Sequence, residues 1–203
     1  MEEIIAQGAE ALLVRQNCQL IKRRIKKGYR HPLLDGKLRK TRTRKEAKLF
    51  EKASGLINVP AVSSVDEKNM EIKMDFINGR KMSDVLDSFS MKKSSAICEN
   101  IGKSIAKIHD AGIIHGDLTT SNMILNEDRI FFVDFGLGFE SQKVEDKAVD
   151  LHLLKQAFES RHFERGKEYF DSAIGGYKIS KNANAVLKQL EKVEARGRYK
   201  GKH

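Results

Sequence analysis

The sequence predicts an α+β fold in two lobes: a small β-rich lobe over residues 1–77, a reduced helical lobe over 78–195, and a basic tail over 196–203. Three observations predict it. Short apolar runs bounded by turn residues crowd the first part, apolar residues at helical spacing fill the second, and the turn signal Asn78-Gly79 divides them.

In the first lobe, Glu10–Arg15 and Cys18–Lys22 are β-like runs joined at Gln16-Asn17, a tight turn. Gly36–Ser54 is charged and free of proline, with Ala47, Leu49, Phe50 and Ala53 as its apolar positions. It predicts a helix ending at Gly55. Val59–Val65 and Met70–Phe76 predict two more strands around the turn at residues 66–69.

In the second lobe, Ile97, Ile101, Ile105 and Ile108 mark a helix that stops near Ala111-Gly112. Asn122–Leu125 and Arg129–Val133 predict a hairpin around Asn126-Glu127-Asp128. From Asp146 onward the chain reads as helical, with a break around Gly175-Gly176.

With 40% hydrophobic and 33% charged residues, the 203-residue chain has the composition of a soluble globular protein. No apolar run approaches the ~20 residues that span a bilayer. Met1-Glu2-Glu3 lacks the basic start of a signal peptide. Two cysteines without metal-type spacing give neither a disulfide framework nor a zinc site, so a reducing cytoplasm is the expected setting. The net charge of +10 is unevenly placed. Arg15 to Lys45 holds 13 Lys/Arg against one acid, Asp35, a local +12, so the other residues sum to −2. With the closing cluster Arg196, Arg198, Lys200 and Lys202, this points to a polyanionic partner such as RNA; a solvated surface or a mobile tail is the alternative.

The chemistry is carried by His115-Gly-Asp-Leu-Thr-Thr-Ser-Asn122 and Asp134-Phe-Gly136. A hairpin brings its two ends together, so Asn122 and Asp134 can converge. Two oxygen donors there suit magnesium, which takes few protein ligands and completes its shell with waters and phosphate oxygens. Asp117 is left to orient, or take a proton from, an attacking hydroxyl or water.

This pattern resembles the protein kinase superfamily, whose catalytic loop reads His-Arg-Asp, four residues, Asn, and is followed by Asp-Phe-Gly. The resemblance implies a minimal bilobal protein-kinase-like fold that binds ATP and Mg2+. Asp117 is then the catalytic aspartate, and Asn122 and Asp134 are metal ligands. Lys22 is the strand lysine of the phosphates, Glu46 its helix partner, and Met74, Asp75 and Ile77 form the adenine hinge. The phosphate-covering loop departs from the superfamily: Gln7-Gly-Ala-Glu-Ala11 offers Gly8, Ala9 and Glu10 in place of three glycines. A carboxylate beside a triphosphate is repulsive unless a cation intervenes. Gly116 replaces the usual arginine, Asp150 follows Asp134 by only 16 positions, and no Ala-Pro-Glu follows. The peptide-holding platform is thus largely missing, and Asp150 resembles the aspartate that props the catalytic loop.

More narrowly, Gln7-Gly-Ala-Glu-Ala11, Tyr29-Arg-His-Pro32 and His115-Gly-Asp117 resemble the small RIO-like kinase and ATPase subunits of KEOPS complexes, an archaeal member being expected. That resemblance covers essentially the whole chain. It implies a role in forming threonylcarbamoyl-adenosine in tRNA, with Ser/Thr autokinase activity. It also implies a large threonylcarbamoyl-transferase partner on the C-lobe, a small partner on the N-lobe, and tRNA on basic patches that include Arg196, Arg198 and Lys200. A conventional Ser/Thr kinase and an aminoglycoside-type small-molecule kinase are the alternatives. The latter has a larger C-lobe and an acidic substrate pocket. A purely structural scaffold gives no reason to hold Lys22, Glu46, Asp117, Asn122 and Asp134 together.

Overall fold

A computed structural model describes residues 2–198. Tyr199 and Lys200, and the side chain of Arg198, lie outside what is described. The first lobe is a five-stranded antiparallel sheet in the order β1-β2-β3-β5-β4, with β1 Glu2–Gln7, β2 Ala11–Gln16, β3 Gln19–Arg24, β4 Val62–Asp66 and β5 Glu71–Asp75. The β2–β3 hairpin turns where expected, and Asn17 adopts φ 55° there.

Helix α1, Pro32–Ser54, packs on this sheet and ends at Gly55. It begins four residues before the predicted Gly36. Pro32 stands in its first turn, where the missing N–H costs nothing and the fixed φ suits a helix. Strand β1 has no counterpart among the predicted elements. Every one of its residues is exposed, so it lacks the alternation that betrays a half-buried strand.

The second lobe begins with β6 Arg80–Lys81 and the short α2 Met82–Val85, then α3 Met91–Asp110 and β7 Ile113–Ile114. The hairpin β8 Met123–Asn126 and β9 Arg129–Phe132 joins β6 in a three-stranded sheet, and β10 Phe139–Glu140 pairs with β7. Helices α4 Val144–Arg161, α5 Gly166–Tyr177 and α6 Ala183–Arg198 complete it. Helix α6 carries on past residue 195, where the sequence places the start of the tail.

The break expected at Gly175-Gly176 does not occur; both lie inside α5, and the helical breaks fall at residues 162–165 and 178–182. A Cβ on Gly176 would collide with the Glu99 carbonyl of α3, and one on Gly102 with the Ala173 carbonyl of α5. These glycines let two helix backbones touch, a packing role that local sequence cannot distinguish from helix breaking. One continuous apolar core runs through both lobes, from Ala47, Phe50 and Ile72 to Leu151, Tyr169 and Leu190.

Candidate active site

The hairpin β8–β9 sets the centre of the site. Its open end is closed by the Val133 N–H donating to the Asn122 carbonyl at 2.9 Å, which fixes Asp134 beside Asn122. Asp134 has φ 65°, an uncommon conformation for a residue with a side chain. Its Oδ1 accepts from the Gly136 N–H at 3.0 Å and from Lys22 Nζ at 2.6 Å. Lys22 in β3 also donates to Glu46 Oε1 of α1 at 2.6 Å, and Arg24 Nη2 donates to Glu46 Oε2 at 2.5 Å. Burial opposes the charge on Lys22, but Glu46 and Asp134 overcome it and raise its pKa. Burial likewise opposes ionisation of Asp134, and the Lys22 charge holds its carboxyl below the ordinary range.

Asn122 Nδ2 donates to the Asp117 carbonyl at 3.0 Å and to Asp117 Oδ2 at 2.8 Å. That leaves the amide oxygen of Asn122 as its available ligand atom. With the carboxylate of Asp134 it forms a pair of hard oxygen donors, which fits magnesium shared with phosphate. No cage of three or more His, Cys, Asp or Glu exists among the described residues.

The catalytic loop rests on Asp150 of α4. Its Oδ2 accepts from the His115 N–H at 2.8 Å and its Oδ1 from the Gly116 N–H at 2.9 Å. Gly116 has φ 78°, and a Cβ there would strike the Leu137 carbonyl, so an arginine at this place would be excluded. Phe135 packs between Phe50 of α1, ring centroids 5.1 Å apart, and His115, 4.6 Å apart.

A cavity of about 400 Å³ opens between the lobes, lined among others by Gly8, Ala9, Glu10, Lys22, Asp117 and Asp134. Glu46, Asn122, Met74, Asp75 and Ile77 do not line it. Met74 is 2% exposed within the core, the Asp75 N–H is taken by the Ala61 carbonyl at 3.0 Å, and the Ile77 carbonyl by the Gly79 N–H at 3.0 Å. The cation that Glu10 needs is present twice: Arg30 Nη2 lies 3.3 Å and Arg42 Nη1 2.7 Å from its carboxylate.

Arg24 and Arg42 also line the cavity and are not among the site residues the sequence predicts. The signals were there. Arg24 follows Lys22 by two on a strand and so shares its face, and Arg42 precedes Glu46 by four on a helix.

The basic segment is less free than its charge implies. Eight of its 13 cations, Lys22, Arg23, Arg24, Arg30, Arg39, Lys40, Arg42 and Arg44, pair with carboxylates. Arg196 pairs with Glu145 at 2.6 Å on an exposed face.

This arrangement is that of a kinase-like fold reduced to its two lobes. The solved structure of the Rio2 kinase complex with ADP/Mg2+ and phosphoaspartate from Chaetomium thermophilum matches 98% of this chain and 70% of its own, with a TM-score of 0.63 and 16% identity. The family model of the RIO domain matches residues 15–168. KEOPS complex subunit Bud32 of Pyrococcus abyssi is 40% identical, over 98% of this chain and 96% of its own. EKC/KEOPS complex subunit bud32 of Dictyostelium discoideum is 37% identical, over 97% and 83%. The chain belongs to the RIO domain family, in the branch of the Bud32 subunits. It is also 40% identical to a probable bifunctional tRNA threonylcarbamoyladenosine biosynthesis protein of Methanobrevibacter smithii, but spans only 37% of that longer protein. No helix among the described residues is long and apolar enough to cross a membrane.

Proposed function

We propose that this chain is the ATP- and Mg2+-dependent phosphotransferase and ATPase subunit of a KEOPS complex, serving threonylcarbamoyl-adenosine formation in tRNA, with Ser/Thr autokinase activity. The observation that carries the chemistry is that Lys22, Asp117 and Asp134 line one cavity, with Glu46 behind Lys22 and Asn122 beside Asp117 and Asp134. Lys22, held by Glu46, binds the inner phosphates. Asn122 and Asp134 would hold magnesium, which when bound would supply charge neutralisation at the phosphates. Asp117 orients the attacking hydroxyl or water and takes its proton. Backbone groups of Asp75 and Ile77, outside the cavity lining and with Met74 buried behind them, are assigned to adenine, and Gly8 and Ala9 cover the phosphates.

The assembly is supported by the relatives' names and by the fused relative, in which a domain like this one is part of a longer tRNA-modifying protein. The large threonylcarbamoyl-transferase subunit is placed on the C-lobe and a small subunit on the N-lobe. tRNA is placed on the basic residues left unpaired in the N-lobe, among them Lys26, Lys37 and Lys45, and on Arg196, Arg198 and Lys200. The work is assigned to the cytoplasm.

The test is ATP hydrolysis by the purified chain with the large partner, with and without tRNA, followed beside label transfer into protein. Phosphate release that rises with tRNA and leaves little stable label is the expected result. Strong labelling of protein indifferent to tRNA would identify a conventional Ser/Thr kinase instead. Asp117→Asn in the same assay should cut turnover about 10²-fold or more while sparing ATP affinity, since it removes positioning and not nucleotide contacts.

A further inference from the structure

The two motifs that set this sequence apart, Gln7-Gly-Ala-Glu-Ala11 and Tyr29-Arg-His-Pro32, meet in space. Glu10 Oε1 receives Arg30 Nη2 at 3.3 Å, and Oε2 receives Arg42 Nη1 at 2.7 Å. Lys27 Nζ donates to the carbonyl of Ala9. Behind them, buried Asp35 holds Arg39 at 2.7 Å and faces Arg30 at 3.8 Å. The loop between β1 and β2, poor in glycine, is therefore tied by side chains to Arg42 of α1 and to Lys27 and Arg30 in the segment before it. Partial burial opposes ionisation of Glu10, but the Arg42 and Arg30 charges hold its carboxyl below the ordinary range.

Arg42 belongs to two places at once. It sits one helical turn before Glu46, so it shares the face of α1 that meets Lys22, and it lines the same cavity as Lys22, Asp117 and Asp134. Its side chain is 35% exposed and makes one short bond to Glu10, which leaves most of its guanidinium donors uncommitted. The cavity lining balances Lys22, Arg24 and Arg42 against Glu10, Asp117 and Asp134, so a phosphate gains a cation there by displacing a carboxylate. Arg24 lines it, is 5% exposed, and has an Nε with no acceptor. A guanidinium fork matches phosphate oxygens in geometry and charge.

Resting on the reading that this cavity takes a nucleoside triphosphate, we propose that Arg42 binds its terminal phosphate and that Glu10 holds Arg42 in reserve until that phosphate arrives. Lys22 takes the inner phosphates, so Arg42, one turn before Glu46 on α1 and beside the loop, takes the outermost one. A diphosphate offers nothing to exchange for Glu10, and the loop stays tied. Arg42 thus distinguishes substrate from product.

The test is direct measurement of the Kd of ATP and of ADP, each with Mg2+, by calorimetry on the full chain. Arg42→Gln should weaken ATP about tenfold and leave ADP within about twofold. Glu10→Gln should tighten ATP about threefold and leave ADP unmoved, because it removes the competing carboxylate. Arg42→Lys keeps the charge without the fork and should fall between. Circular dichroism establishes that each variant is folded; if Arg42→Gln is not, Glu10→Gln decides, since its effect has the opposite sign. Wild-type protein that binds ATP and ADP, with a ratio unmoved by either substitution, overturns the role of Arg42 alone. Wild-type protein that binds neither nucleotide overturns the nucleotide reading with it.

Discussion

Two polar networks face each other across the catalytic loop, and they are built on opposite principles. Above it, Lys22, Asp134, Glu10 and Arg42 line an open cavity and are held mainly by other charges, with Glu46 buried behind Lys22 and the Gly136 N–H on Asp134. Below it, Asp150 is sealed in the core and meets backbone N–H groups and His109, whose other ring nitrogen meets the Tyr177 hydroxyl at 3.0 Å. The upper partners can be exchanged for phosphate and magnesium. The lower ones have no alternative partner, since each is buried and already bonded. A carboxylate that closes on main-chain donors shapes the loop; a carboxylate that shares a lysine at a cavity mouth is available for chemistry.

The sharpest way to break this contrast is to remove one carboxylate from each side. Asp134→Ala should lower magnesium-dependent turnover by about 10³-fold or more, measured as phosphate release. Its unfolding midpoint in urea should barely move, because Lys22 keeps Glu46. Asp150→Ala should do the reverse. It strands buried donors on His115, Gly116 and His109, and unfolding should lose about 3–5 kcal/mol. A stable Asp150→Ala, or an active Asp134→Ala, would erase the distinction.

Acid separates the two regions by pH. Burial pushes the His115 imidazole below its ordinary 6.5 against the pull of Asp150 and the nearby carboxylates. Its folded pKa is depressed, so the unfolded chain binds the proton first. Its contribution is intact above 6.5 and is lost as pH falls from there toward the folded value. Asp134 keeps its contribution down to its ordinary 3.8 and loses it only below. Urea midpoints should therefore begin to decline below pH 6.5, by up to about 1.4 kcal/mol per pH unit. Asp134→Asn removes one of the carboxylates that favour protonated His115, so the limb should persist and deepen; a flattened limb would show that it does not belong to His115.

The parts of the molecule legible in sequence are those whose signal is local. The catalytic loop and the hairpin β8–β9 follow from one contiguous stretch, and their boundaries fall within a residue of expectation. The end of α1 is announced by Gly55. The Lys22–Glu46 pairing came from the kinase resemblance, and its distance of 2.6 Å from the fold. Edge strand β1 has no buried face to advertise it, and Gly176 looks like a helix breaker until the backbone of α3 is seen against it. The Glu10 clasp joins residues 20 and 32 positions apart, in an order that no periodicity encodes. Charge composition misled most. The density of lysine and arginine from Arg15 to Lys45 predicts an open cationic face, and yet carboxylates brought from Glu10, Glu67 and Glu71 neutralise much of it.

Tyr177→Phe is the smallest change and the most discriminating one for the lower network. His109 Nε2 lies 3.1 Å from Asp150 Oδ2, an arrangement that places its proton on Nε2 and leaves Nδ1 to accept from the tyrosine hydroxyl. Removing that hydroxyl deprives one buried nitrogen of its donor and creates almost no cavity, so unfolding should lose about 1 kcal/mol. Asp150 keeps all three of its own donors, and the loop it supports keeps its shape. Turnover and KM for ATP at 25 °C should then match the wild type while the thermal midpoint falls. If turnover falls out of proportion to stability and Tyr177→Phe lowers kcat in folded protein, the buried network does more than hold the loop, and its tyrosine end communicates with Asp117.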